Sequence, residues 1–199
     1  MEQPQHKVKP LPFKSLNGIS DKTNEIHHTK LYTGYVNKRN EIEESLKTAD
    51  RTKANATYSQ IGELKRQETF AANGMILHEV FFGELGGDGA PKGKVADKIK
   101  KDFGTFENWL DEFKACAMAA RGWCILAYDP SDSKLHTYIG DAHNQGGVWG
   151  CTPIICLDVY EHAYFIDFGS DKKAYIETFF KNLSWKEVDE IAKKANLNI

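Results

Sequence analysis

Apolar residues Ile26, Leu31, Val36, Ile42 and Leu46 recur at roughly helical spacing behind a polar start, Ser20-Asp21. This predicts a long helix to about Thr48, with Ser20 or Asp21 as its cap. Ahead of it, residues 1–19 carry Pro4, Pro10 and Pro12 and read as an extended arm. A polar stretch at 49–55 interrupts the pattern, and a second helical region covers about 57–85, with Gly74 inside it. Gly86-Gly87-Asp88-Gly89 ends that region; without the lysine and spacing of a phosphate-binding loop, it reads as a turn.

Pro91 opens a short helix to about Lys101, and another runs from about Thr105 to Ala120. The pattern then changes period. Trp123–Tyr128 and Lys134–Gly140 are β-rich runs separated by the turn-forming Asp129-Pro130-Ser131-Asp132, and Ile154–Asp158 is a third short apolar run. Two helices are expected to close the chain, near 171–181 and 184–195, the second with Ser184 and Glu187 at capping-box spacing. The class is therefore α+β, mostly α: an all-helical first domain over 1–88, then an α/β domain over 89–199 with a small three-stranded antiparallel sheet.

Composition narrows the functions available. With 199 residues, 41% hydrophobic and 27% charged, the chain can bury a proper core. A formal net charge of −2 gives no basic face for nucleic acid, and no segment nears the ~20 apolar residues a membrane helix needs. The opening MEQPQHKVKPLPF has no apolar core of the signal-peptide kind, so a cytoplasmic location is expected. Cys116, Cys124, Cys151 and Cys156 form no CxxC pair and read as free thiols.

The chemistry gathers around histidine. Asp158-Val-Tyr-Glu-His162 sets a carboxylate and an imidazole four residues apart, just after an apolar strand, where a turn or helical start can aim both at one ion. The first long helix holds His27, with Tyr35 eight residues on, within about 80° of the same direction. His28 points elsewhere, towards a supporting or surface role. His78 lies on an apolar stripe of the second helical region, where a buried imidazole needs a partner. Any one of these residues alone reads more simply as a core or surface side chain. Together, three histidines and one aspartate suit a borderline first-row metal and disfavour iron–sulfur or soft copper sites. A non-haem iron oxygenase would use two histidines and one carboxylate, so the third histidine argues against it.

An ordered series of motifs then resembles the iron/manganese superoxide dismutases along nearly the whole chain. These are LPF, HHTKLYTGYVNKRNEI, NGMILHEVFF, GAPKGKVADKIKKDFGTF, RGW, DVYEHAYFIDF and NLSW. The resemblance implies a helical hairpin followed by an α/β domain, with one Fe or Mn ion per subunit on His27, His78, Asp158 and His162. It implies Tyr35 as the active-site tyrosine and Trp123 as the tryptophan lining the pocket. It also implies Glu161 as the residue that reaches the partner subunit's metal site, hence a homodimer, with a tetramer as the alternative. Superoxide is the implied substrate, and Lys30 and Lys172 are implied near its approach.

In this family one polar side chain hydrogen-bonds the metal's solvent ligand. Gly74 leaves room for it to come from Asp141-Ala-His-Asn-Gln145, where His143 has the better offsets and Gln145 is the competitor. Iron is placed slightly ahead of manganese, with use of either metal next. Leu31 and Phe165 stand where the family often pairs histidine and tyrosine across its interface, and Tyr160 and Phe82 replace frequent tryptophans. Losing both members of the pair avoids a half-satisfied buried polar group. The competing reading is a metal-binding dimer of the same fold with weakened turnover.

Overall fold

A computed structural model describes residues 5–197 and 199; Pro4 of the expected arm lies outside them. Residues 5–19 contain no helix or strand. They are held by polar contacts with the first long helix. His6 exchanges two hydrogen bonds with Asn40, the Lys9 N–H donates to Tyr32 Oη, and the Lys9 carbonyl accepts from His28 Nε2. His28 is thus a buried anchor for the arm.

The expected first helix has three parts: α1 (Asp21–Glu25), a π-helical stretch (Ile26–Tyr32) and α2 (Thr33–Thr48). Ser20 caps it by accepting the Thr23 N–H, and Asp167 braces the cap by accepting from Ser20 N–H and the Thr23 hydroxyl. A π turn holds more residues than an α turn, so it re-aims the side chains that follow it. α3 (Gln60–Gly83) starts at Ser59, whose hydroxyl accepts the Gly62 N–H, and packs antiparallel-fashion beside α2 as the second arm of the hairpin.

After the glycine turn come α4 (Lys94–Phe103) and α5 (Phe106–Ala119). Asp189 caps α4 from a distance, one oxygen on the Lys94 N–H and the other on the Val95 N–H. The sheet has order β2-β1-β3, with β1 (Trp123–Asp129), β2 (Lys134–Gly140) and β3 (Thr152–Asp158) all antiparallel. β3 starts two residues earlier than the apolar run indicated and takes in Pro153, which an edge strand tolerates. The register sets Trp123 opposite both Gly140 and Asp158.

α6 (Glu161–Phe168), α7 (Lys172–Asn182) and α8 (Trp185–Lys194) complete the chain. The sequence pattern had left α6 as no more than a helical start. Only Ala163 and Tyr164 of its eight residues are buried, while Phe165 and Ile166 are exposed, so it shows no amphipathic period. The Ser184–Glu187 capping box is absent. The Ser184 N–H is spent on the Glu84 carbonyl at 2.7 Å, next to the Leu85–Leu183 bridge that ties the two halves together.

The core is continuous across both halves. Trp109, Trp123 and Trp185 are fully buried within it, among Phe81, Phe113 and Phe179. No helix among the described residues is long and apolar enough to cross a membrane.

Candidate metal centre

Four elements deliver one side chain each to a buried point. The π stretch brings His27, α3 brings His78, the end of β3 brings Asp158, and the first turn of α6 brings His162. Their ligand atoms all lie within 4.8 Å of one another. Nε2 of His27, His78 and His162 stand 3.2, 3.5 and 3.1 Å from a single atom, Asp158 Oδ2. The other carboxylate oxygen accepts the Tyr160 N–H at 2.9 Å, and Tyr175 Oη donates to the Asp158 carbonyl at 2.8 Å. These two bonds leave Oδ2 facing the imidazoles.

His78 decides what the cluster fits. Its Nδ1 donates to the Gly74 carbonyl at 2.6 Å, because a carbonyl can only accept. The neutral ring then presents a lone pair at Nε2, which is buried without a hydrogen-bond partner. Burial, with His27 nearby, pushes the pKa of His78 down to about 3, so the ring stays neutral. A lone pair aimed at a carboxylate oxygen is repulsive unless a cation stands between them. The donor set, three imidazole nitrogens and one carboxylate oxygen, is what a borderline first-row ion takes.

Despite burial, the histidines around Asp158 hold its carboxyl far below the usual range, so it remains an anion. His27 is shifted down, chiefly by burial. His162 is shifted up: its burial penalty is outweighed by the Asp158 charge and hydrogen bond.

An aromatic wall surrounds the cluster. Phe81 and Phe82 lie 5.1 and 5.0 Å from the His27 ring, and Trp123 and Tyr35 each lie 5.2 Å from His78. Tyr35 is kept protonated, its pKa raised to about 12 by burial and the neighbouring Asp158. The Gly74 position is tight for a different reason than the sequence suggested. A Cβ there would sit 2.7 Å from the Tyr35 ring, so glycine makes room for the tyrosine itself.

His143 is buried beside this wall, its ring 4.6 Å from Tyr35 and 5.8 Å from His78. Its Nδ1 accepts from Trp123 Nε1 at 2.9 Å. Gln145 is not brought to the cluster. Its N–H closes a turn to the Ala142 carbonyl, and its side chain is exposed. Glu161 opens α6 on the surface, beside the partly exposed His162.

Lys30 is exposed, whereas the Lys172 amine is occupied by the carbonyls of Ala120 and Met118 at the end of α5. Lys172 therefore acts as a helix C-terminal cap. Sequence reasoning missed Phe70, which lies 4.6 Å from His143 and 6.1 Å from Tyr35. Its i, i+4, i+8 spacing with Gly74 and His78 was the signal available.

A helical hairpin and an α/β domain sharing a buried three-histidine, one-aspartate cluster define a protein built to hold a first-row metal ion. Family models for iron/manganese superoxide dismutases match residues 5–86 (alpha-hairpin domain) and residues 91–191 (C-terminal domain). The chain is 44% identical to the superoxide dismutase [Fe] of Aquifex pyrophilus, over 96% of this chain and 93% of the relative. It is 37% identical to superoxide dismutase [Mn] 1 of Halobacterium salinarum, over 96% of each. This chain belongs to the iron/manganese superoxide dismutases. It is an oxidoreductase with superoxide as substrate and iron or manganese as metal.

Proposed function

We propose that His27, His78, Asp158 and His162 bind one ion per chain through their Nε2 and Oδ2 atoms, and that iron is the preferred metal, with manganese also used. The observation that carries this is the convergence of three Nε2 atoms within 3.5 Å of one carboxylate oxygen. When bound, the ion supplies a one-electron couple that oxidises one superoxide to dioxygen and reduces a second, with two protons, to hydrogen peroxide.

The chain's own residues exclude water and place protons. Phe81, Phe82 and Trp123 close off the buried side of the cluster. Since indole N–H can only donate, His143 Nδ1 must accept, and burial drives the His143 pKa down to about 4. His143 is therefore a neutral imidazole with its proton on Nε2, in a ring that packs 4.6 Å from that of Tyr35. We assign these two side chains, and not Gln145, as the proton-bearing groups at the substrate position. The iron preference rests on the relatives from Aquifex pyrophilus and Aquifex aeolicus, both superoxide dismutases [Fe], at 44% and 43% identity.

Glu161 at the surface next to His162, with Phe165 56% and Ile166 48% exposed on the same short helix, supports a homodimer through this face. Leu31 and Phe165 then meet as apolar surface. Four unpaired cysteines among the described residues favour the reducing cytoplasm. We place the domain boundary between Asp88 and Gly89, in the glycine turn.

The test is metal analysis of the protein as expressed, followed by removal of the metal and reloading with iron or manganese. Loaded protein is expected to consume superoxide far faster than free metal, with His78→Ala losing both metal and activity. Loaded protein no faster than free metal, or His78→Ala with full metal content, rejects the assignment. Glu161→Ala is expected to weaken both the dimer and metal retention; unchanged sedimentation and metal content reject its role.

A further inference from the structure

A cavity of about 400 Å3 lies between α3, the sheet and the β2–β3 loop. Thr69, Ala72 and Asn73 of α3 form one wall, and Ile125, Ala127 and Tyr138 of the sheet form the other. Trp123 and His143 also line it, so the cavity shares two side chains with the wall of the metal centre. Exposure falls from 96% at Trp149, on the loop, to 4% at His143. The mouth is therefore at the loop tip and the floor at the Trp123–His143 pair.

The loop that roofs this space is tied to both walls. Asn144, next to His143, donates to Thr69 Oγ1 on α3 at 3.1 Å. Gly146 passes so close to β2 that a Cβ there would stand 2.0 Å from the Ile139 carbonyl oxygen, and its φ of +83° is a left-handed value that suits glycine. Polar groups face the space between these ties. The Asn73 side-chain amide has no protein hydrogen-bond partner among the described residues, and Tyr138 Oη meets the Cys151 sulfur at 3.8 Å. A roomy space with such groups on its walls holds water.

We propose that this cavity is a solvent inlet: water enters beside Trp149 and reaches His143, where it replaces protons that peroxide formation consumes. The inlet rests on the assignment of His143 as a proton-bearing group at the substrate position. Its volume takes on the order of ten waters, enough for an unbroken chain from mouth to floor. Each proton given up at Nε2 is replaced from an inlet water, and that water's proton from bulk solvent, so no net charge stays in the site. Phe81, Phe82 and Trp123 close the buried side of the cluster, which leaves the His143 edge as the place where solvent arrives through the fold.

A crystal structure of the iron- or manganese-loaded protein tests the inlet directly. Expected is a chain of ordered waters from the mouth to hydrogen-bond distance of His143. Ala127→Leu and Ala72→Leu fill the cavity from opposite walls, so one still answers if the other fails to fold. Each is expected to keep its metal and to displace those waters. The kcat should fall by about tenfold with kcat/KM for superoxide within about twofold, because proton supply limits a step after capture. The solvent isotope effect on kcat should rise. A cavity without ordered water near His143, or a filled cavity with kcat and isotope effect unchanged, overturns the inlet. The waters are seen whether or not the protein turns over, so loaded wild type without activity rejects the metal-centre reading while the crystal still decides the inlet.

Discussion

The Trp123 indole N–H donates to Nδ1 of His143 at 2.9 Å, and both side chains are buried. That single bond selects the tautomer of His143 and keeps its ring facing Tyr35. Trp123→Phe preserves most of the packing but strands a buried acceptor, at a cost of about 1–3 kcal/mol. Calorimetry of the metal-loaded variant should show a melting temperature lower by about 2–4 °C per kcal/mol lost. The ratio of activities with iron and manganese should also change. An unchanged melting temperature and ratio would show that the bond positions nothing.

Gly74 and Tyr35 are in similar dependence. A Cβ at position 74 would meet Tyr35 Cδ1 at 2.7 Å, and a ring held between α2 and α3 cannot yield as a flexible chain end can. Gly74→Ala is expected to cost about 1–3 kcal/mol by overpacking and to lower the turnover rate. Steady-state superoxide kinetics beside thermal unfolding would check it. A variant as stable and as active as wild type contradicts the contact.

Glu84 gives a pH dependence whose sign can be worked out. Its side chain is fully buried and accepts the Cys156 N–H, at 3.0 Å on the nearer oxygen. Burial pushes its pKa well above the ordinary carboxylate value, with the Cys156 bond opposing. The folded pKa exceeds the unfolded one, so Glu84's contribution is fully present below about pH 4.3. It is lost as pH rises towards the folded value, because only the unfolded chain ionises freely. Glu84→Gln keeps the shape and the acceptor but cannot ionise. Urea unfolding should therefore find the variant more stable than wild type near neutral pH, with the gap closing in acid. A gap that is constant with pH would mean that Glu84 is not held neutral.

Asp189 caps α4 from α8, across 95 residues of chain. Asp189→Ala releases the N–H groups of Lys94 and Val95 and is expected to cost about 1–2 kcal/mol. Dismutase activity should be retained, since the cap touches none of the four clustered residues. Chemical denaturation with a parallel activity assay tests both halves of this expectation.

Much of this protein was legible in its sequence because the signals were local. A helix written as a repeating apolar stripe behind a serine, as at Ser20, needs only neighbours within a turn to declare itself. The β1–β2 hairpin is likewise announced by alternating runs around Asp129-Pro130-Ser131-Asp132. His27, His78, Asp158 and His162 could be named because three histidines and one aspartate together make a metal-type donor set, and because ordered family motifs enclose them.

What tertiary structure alone decided depends on partners distant along the chain. The π turn that aims His27, the bond from the Trp123 indole to His143, and the capture of the Lys172 amine by carbonyls at the end of α5 leave no periodic trace. α6 lacks an apolar stripe because so little of it is buried, and Ser184 forgoes its capping box because Glu84 claims its N–H first. Helix periods and caps are set by energies between residues a turn apart. Proton positions and side-chain aim are set by whichever group the folded chain places opposite, and that becomes determinate only when the whole core closes.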